Sequence, residues 1–322
     1  MKDLQNNIIC GDCIEILNNA EKPFADLIFA DPPFNIGYKY DKYHDKQKKQ
    51  KYLAWTKDWI QACYKVLKPT GSFYIAIGDD YAANVKLIAE ELGLNMRNWI
   101  IWHYTFGQQT KNKFARAHTH IFYFVKDKDN FTFNEHAVRC PSDRQLIYND
   151  KRANPAGKMP DDVWNTFARV CGTFKERAGW HPCQMPELLL ARIIAASSNP
   201  GNCVLDPFTG SGTTAAVAAI YNRQYAGTEI SKEYVKNAIQ RIEKTKKTMK
   251  NSQKKYFNLT EMTEMKRLFA EIGIAAEKLT QNNKLLDIFD NQFSLRMNNK
   301  KQYDREKIIA AIKDFVYWQK KG

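Results

Sequence analysis

Two short segments carry residues that could do chemistry together. Asp31-Pro32-Pro33-Phe34 follows the apolar run Asp26-Leu27-Ile28-Phe29-Ala30, and Phe208-Thr209-Gly210-Ser211-Gly212 follows Val204-Leu205-Asp206-Pro207. The first places a carboxylate, a proline carbonyl and an aromatic ring at the carboxyl end of a predicted buried strand. That set suits a planar ring amine, a poor nucleophile because its lone pair is delocalised. Asp31 and the Pro32 carbonyl can each accept one amine hydrogen. Pro32 brings no N–H of its own, and the pair Pro32-Pro33 stiffens the turn so that both acceptors stay in place. Phe34 offers a stacking face for a base drawn out of its helix, and Asn35-Ile36-Gly37 leads into a loop expected to close around it. Taken bare, Asp-Pro-Pro is equally a stiff turn after a strand; the glycine turn elsewhere in the chain tips the balance towards chemistry. Asp31 is expected to orient and stabilise the amine without having to act as a general base.

The second segment reads as strand, tight turn and helix. Gly210 and Gly212 allow backbone to approach a ligand, with Asp206, Phe208 and Thr213 around them. A third glycine and a following Lys-Ser/Thr are missing, so the run matches neither a dinucleotide nor a triphosphate loop. Glu229, seventeen residues past Gly212 at the end of the next strand, can accept hydrogen bonds from both hydroxyls of a ribose. Asp12 ends the first strand and suits the adenine end of a nucleoside cofactor; a helix N-cap is its equally good structural role.

Short apolar blocks at Asn7–Cys10, Ala25–Ala30, Gly71–Ile77, Trp99–Tyr104, His120–Val125, Cys203–Leu205 and Gln224–Thr228 must position these residues. Helical patterns such as Leu53–Leu67, Ala82–Leu92 and Pro186–Ser198 alternate with them, which predicts an α/β fold with a mostly parallel sheet. Pro69-Thr70-Gly71 is expected to mark one helix-to-strand return. Residues 126–180, rich in Pro and Gly with little periodicity, read as an insertion, and a helix beginning near Ser231 as the close of a domain covering 1–240. Arg241–Lys255 carries seven basic residues and one acid, which suggests a basic linker over 241–260. Met262–Leu279 and Arg305–Trp318 then predict a small helical domain over 261–322.

Composition narrows the partner. The 322 residues hold 49 Lys and Arg against 35 Asp and Glu, a net +14, which favours a polyanion. From Ser231 onward 21 basic and 11 acidic residues supply +10 of that excess. Counting Lys51, six lysines with Tyr38, Tyr40, Tyr43 and His44 follow Gly37, among them Lys39, Lys42 and Lys46. This loop is expected over a flipped nucleotide, with lysines on phosphates and tyrosines on sugar or base. Trp102, His103 and Tyr104 are candidates for the base pocket or for core; His118 and His120 are expected to be structural. Arg116 suits phosphate contact, and Arg139, Arg144 and Arg152 in the insertion are candidate readers of base edges. The seven scattered cysteines do not frame disulfides; Cys171, His181 and Cys183 lack a fourth ligand for zinc, so no metal is expected. Free thiols in a cytoplasmic protein, no signal peptide and no bilayer span complete the expectation.

Asp31-Pro32-Pro33-Phe34 resembles the catalytic motif of the S-adenosylmethionine-dependent DNA amino-methyltransferases, and Phe208-Thr209-Gly210-Ser211-Gly212 resembles their cofactor motif. With the catalytic segment first, the order is similar to that of the beta group, a circularly rearranged Rossmann-like methyltransferase fold with its target-recognition region between the halves, as 126–180 would be here. His181-Pro182-Cys183-Gln184-Met185-Pro186 resembles the family's His-Pro-Thr-Gln-Lys-Pro, which implies that His181 lines the methionine end of the cofactor. The likeness covers roughly residues 7–240. The basic extension is similar in length and placement to that of the cell-cycle-regulated adenine methyltransferases, which implies a role in gripping DNA or forming a homodimer. Two departures stand out: Phe34 replaces the usual Tyr, and Cys183 and Met185 replace Thr and Lys. The resemblance implies an adenine-N6 methyltransferase acting on duplex DNA, of the restriction-modification kind. The alternatives are a cytosine-N4 or RNA base methyltransferase, a non-enzymatic DNA-binding protein on the same fold, and a nicotinamide oxidoreductase, which the glycine pattern disfavours.

Overall fold

The structure is a computed structural model and describes residues 4–320 other than 109, 173 and 300. Among the described residues eight strands form one sheet: β1 (Asn7–Cys10), β2 (Ala25–Ala30), β3 (Leu67–Ile77), β4 (Asn95–Gln108), β5 (Arg116–Val125), β6 (Val163–Trp164), β7 (Cys203–Asp206) and β8 (Gln224–Glu229). Their order is β1-β8-β7-β2-β3-β5-β4-β6. The first five are mutually parallel, β5 runs antiparallel between β3 and β4, and β6 adds a parallel edge to β4.

The central strands are apolar throughout because both faces of the sheet are covered. Side chains alternate between faces along β2, so Ile28 and Ala30 enter one core while Leu27 and Phe29 enter the other. The first core is closed by α1 (Cys13–Asn18), α2 (Lys49–Val66) and α3 (Ala82–Glu91). Among the described residues of the inserted region lie two single-turn helices, α4 (Glu135–Val138) and α5 (Asp143–Leu146), besides β6. The opposite face is closed by α6 (Glu187–Ser197), α7 (Thr213–Ile220) and α8 (Lys232–Ser252). Every residue of α7 is buried, and its alanines let it sit close to the sheet.

Three differences from the sequence reading in this part of the chain have local causes. β3 begins at Leu67, not Gly71: Ala25 pairs with Leu67 and Leu27 with Ser72, so Pro69-Thr70-Gly71 forms a bulge within the strand. β4 and β5 are longer than expected and form an antiparallel hairpin. Residues 241–252 are the second half of α8 and not a linker. Ala238 and Ile242 are buried while the lysines face solvent, so the charge run is one side of an amphipathic helix. Only residues 253–258 connect it to the C-terminal helices.

Those helices are α9 (Leu259–Ile272), α10 (Ala276–Gln281), α11 (Asn283–Arg296) and α12 (Arg305–Lys320). The predicted helix over Met262–Leu279 is thus two, broken where Gly273 ends α9 in the left-handed conformation at φ 65°. α11 was not predicted at all. The four share a core built on Leu268, Phe289, Phe293 and Ile312, and they dock on α6 through a buried charge cluster. Arg192 of α6 donates to Glu271 of α9 at 2.7 Å. Arg267 joins Glu264 at 2.5 Å and Glu271 at 3.2 Å, and Arg296 pairs with Glu271.

Candidate active site

β2 and β7 lie side by side and parallel, Leu27 against Val204 and Ile28 against Leu205. The chain leaves β2 through α2 on one face and leaves β7 through α7 on the other, so a crevice opens between their carboxyl ends. Asp31 stands just past β2, and Asp206 is the last residue of β7. At the other end of the pair Asp26 ties the strands together, accepting from the Cys203 N–H at 2.8 Å and from Lys68 at 2.9 Å.

On one side the crevice widens into a cleft of about 1020 Å³. Five carboxylates line it, those of Asp12, Asp31, Asp41, Asp206 and Glu229, against one Lys42. In so basic a chain this is a local inversion of charge. It suits a cationic ligand rich in hydroxyls and amines, and it opposes the phosphates of a nicotinamide dinucleotide. Glu229 accepts the Gly210 N–H at 3.0 Å through one oxygen and the Ser231 N–H at 2.9 Å through the other, which fixes the carboxylate at the cleft edge. Burial raises its pKa. One oxygen of Asp12 accepts the Ile14 N–H at 2.7 Å and caps α1, so the N-cap role is real while the residue also lines the cleft. Asp206 accepts the Phe208 N–H at 3.0 Å, and burial pushes its carboxyl up to about 7 against the bonds from Thr214 and Phe208. Phe208 stands edge-on to Trp59, ring centres 5.2 Å apart.

His181 also lines the cleft. Its Nδ1 lies 2.6 Å from the Cys183 carbonyl, which can only accept, so Nδ1 carries the proton and Nε2 is bare. Burial lowers its pKa to about 4, and the ring is neutral. A Cβ on Gly210 would stand 2.8 Å from that Nε2, so this glycine makes room for the imidazole. Gly212 is a correction: it does not line the cleft, and its Cβ would meet Ala238 of α8 at 2.9 Å. Its φ of 73° and that contact make it a packing glycine. Thr213 lines the cleft and accepts from Arg241 at 2.8 Å.

Beyond Asp31 lies a second pocket with aromatic walls from Phe34, Tyr38, Trp102 and Tyr104. Asp31, Tyr40, Cys183 and Met185 belong to both spaces and form the wall between them. Burial, then the Asp206 charge, pushes the Asp31 carboxyl up to about 7, partly opposed by Arg169. The Pro33 carbonyl is taken by the Tyr52 hydroxyl at 2.7 Å, which leaves the acceptor role to Pro32. Phe34 packs over Gly78, whose Cβ would stand 3.2 Å from the ring. Asn35, at φ 59°, is clasped by Gln47 and Tyr81 while buried Asp45 accepts the Asn35 N–H at 2.7 Å and the Tyr38 N–H at 2.9 Å.

The clasp fixes the lysine-tyrosine loop differently from expectation. Tyr40, Asp41, Lys42 and Tyr43 cover the first cleft, and Asp41 accepts from Ser231 at 2.7 Å; Ile36, Gly37, Tyr38 and Tyr40 edge the second. Lys39 and Lys46 are exposed. Arg116, at the mouth of the aromatic pocket, pairs with Asp79 at 3.2 Å and Asp80 at 3.1 Å. His118 lines the same pocket. Arg139 has partners within its own chain: its guanidinium donates to the Gly157 carbonyl at 2.8 Å and to Glu135 at 3.1 Å, and its own carbonyl accepts from Gln292 and Arg296. It ties the insertion to α11 and at the same time edges a groove away from the cleft, which it shares with Arg144, Arg152 and Lys158. Sequence reasoning missed Tyr52, Trp55 and Arg169, none of which stands in a local motif, and did not single out Thr214 at the end of the glycine turn.

A family profile described as DNA methylase, of the N6/N4 methyltransferase type, matches residues 25–241. The chain is 38% identical over 241 residues to the Type II methyltransferase M.HpaI of Haemophilus parainfluenzae, covering 74% of this chain and 75% of that one. It is 39% identical over 246 residues to the DNA adenine methyltransferase YhdJ of Escherichia coli K12, covering 73% and 82%. Two solved folds are similar: M1.HpyAVI in complex with SAM, at TM-score 0.54 and 23% identity over 73% of this chain and 98% of that one, and the cytosine-N4-specific PvuII DNA methyltransferase, at 0.59 and 18% over 91% and 94%. The chain belongs to the DNA methylase family and is an enzyme of that family.

Proposed function

We propose that this chain methylates the N6 amine of adenine at specific sites in duplex DNA, with S-adenosylmethionine as donor. The observation that carries this reading is the shared wall: Asp31 faces both an acidic cleft and an aromatic pocket. The cleft's own chemistry fits the cofactor. Glu229 would take the ribose hydroxyls, Asp12 and Phe208 the adenine end, and neutral His181 with Asp206 the amino-acid end. Bound there, the cofactor supplies an electrophilic methyl group on a cationic sulfonium.

In the other pocket, the target adenine would stack on Phe34. The Asp31 carboxylate accepts one N6 hydrogen and the Pro32 carbonyl the other, which draws the nitrogen lone pair away from the ring. Ionised, Asp31 is the stronger acceptor, and a neighbouring cation favours that form. The excess proton of the product amine can pass through the Asp31 oxygen to water. Lys39, Lys42, Lys46 and Arg116 would meet phosphates around the pocket, and Arg144 and Arg152 in the insertion would extend the contact towards the recognised sequence. The C-terminal helices would support DNA binding or pairing of two copies, a point that light scattering of the purified protein decides.

Adenine is favoured over cytosine by the 39% identity to a DNA adenine methyltransferase. Mass analysis of nucleosides after incubation with labelled cofactor and DNA tests the assignment. N6-methyladenine is expected; 4-methylcytosine alone would refute the base, and no methylated nucleoside would refute the activity. Among the described residues no helix is long and apolar enough to cross a membrane. Seven free thiols support the cytoplasm as the place of action.

A further inference from the structure

The β4–β5 hairpin lines the aromatic pocket through Trp102, Tyr104, His118 and Thr119, and its last paired residues are Gln108 and Arg116. Past that pair the chain turns through Thr110-Lys111-Asn112-Lys113-Phe114-Ala115. Phe114 is 98% exposed, more than any other exposed large hydrophobic side chain among the described residues. A ring bare to water contributes nothing to the core of this chain, and exposed apolar groups of that size mark contact surfaces when their setting is specific. The setting here is cationic: Lys111 and Lys113 lie on one side, and on the other Arg116, which is shared with Asp79 and Asp80. Arg116 stands at the pocket mouth, two residues or roughly 7 Å of strand from Phe114.

We infer that Phe114 is a wedge, entering the base stack of duplex DNA at the position vacated when the target base turns into the aromatic pocket. The inference rests on the base-methyltransferase reading above and adds how the duplex is opened. Withdrawing one base leaves a gap about 3.4 Å high, one aromatic ring thick. Filling it with an apolar side chain offsets the lost stacking, while lysines on either side meet the flanking phosphates. A protein partner would call for large apolar neighbours around the ring; the residues beside it are Lys113 and the small Ala115, with Lys111 and Asn112 before them. Phe114 touches no reacting atom and is a positioning residue.

The test uses the full-length enzyme, its Phe114→Ala and Phe114→Trp variants, and two duplexes carrying the recognised site. One duplex is fully paired, and the other has an abasic position opposite the target adenine, which is then already unpaired. Single-turnover methylation of the paired duplex should fall roughly tenfold to a hundredfold in Phe114→Ala and be kept in Phe114→Trp. On the abasic duplex, Phe114→Ala should come within about twofold of wild type, because no pairing is left to break. Fluorescence of 2-aminopurine at the target position should likewise rise less with Phe114→Ala than with wild type. Wild-type speed of Phe114→Ala on paired DNA, or an equal loss on both duplexes, would overturn the wedge. Absence of N6-methyladenine from wild type on either duplex would instead overturn the underlying reading, and the wedge with it.

Discussion

Two buried carboxylates, Asp31 at the crevice and Glu271 at the interdomain cluster, meet opposite fates. Burial pushes Asp31 up to about 7, with Asp206 adding to the effect and only Arg169 opposing it. Burial would raise Glu271 too, but Arg296, Arg192 and Arg267 hold it well below the usual carboxylate range. Glu271 is satisfied by its own chain. Asp31 lacks such a set of partners, and the acid-lined cleft beside it is the arrangement of a site whose countercharge arrives with a ligand. Stability is built into one region and withheld from the other, as expected where function sets the local charge.

The comparison can be broken most sharply at the satisfied end. Glu271→Ala leaves three buried guanidinium groups short of a partner and should cost about 3–5 kcal/mol; urea unfolding would show whether it does. Little change there would mean that the cluster is not what docks α9 on α6. At the other end, Asp31→Ala should keep cofactor binding by calorimetry while turnover falls about 10²- to 10³-fold, the scale for losing one preorganised hydrogen-bonding group. Near-normal turnover would remove Asp31 from its role.

A change of pH separates the two carboxylates further. Turnover should rise with pH through about 7 as Asp31 ionises, and added cofactor should move that limb to lower pH. For stability the sign is reversed. The raised pKa means that ionised Asp31 costs the fold nothing below the unfolded value near 3.8 and progressively more as pH climbs through about 7. Asp31→Asn should therefore melt a few degrees above wild type at pH 8 and level with it near pH 4. Equal melting at both values would mean that the carboxyl is not strained. Smallest of all, Gly212→Ala should cost about 1 kcal/mol or more, from its left-handed φ and the Ala238 contact. Cofactor affinity should barely move, since Gly212 lies outside the cleft; a large loss of affinity would return it to the site.

What was legible in the sequence was local. Asp31-Pro32-Pro33-Phe34 and Phe208–Gly212 stand directly after apolar strands, so their chemistry and their elements could be read from a few consecutive residues. The C-terminal region was read less well because Gly273 divides a continuous apolar pattern and the lysines of α8 look like a linker when the buried Ala238 and Ile242 are not weighed with them. Arg139, Arg144 and Arg152 look alike as letters. All three edge one groove, but the Arg139 guanidinium is also tied to Gly157 and Glu135, and its carbonyl meets Gln292 and Arg296 of α11, more than a hundred positions away.

The chain by itself determined two strand-end motifs, the parallel α/β alternation that carries them and an excess of positive charge, because each is written in neighbouring residues. Only the folded molecule decided that β2 and β7 are sheet neighbours with their motifs at the same end. It also decided that the cleft between them is acidic and that Arg169 and Tyr40 stand beside Asp31. Those properties depend on the distances between residues far apart in sequence, which chain order does not contain and packing alone sets.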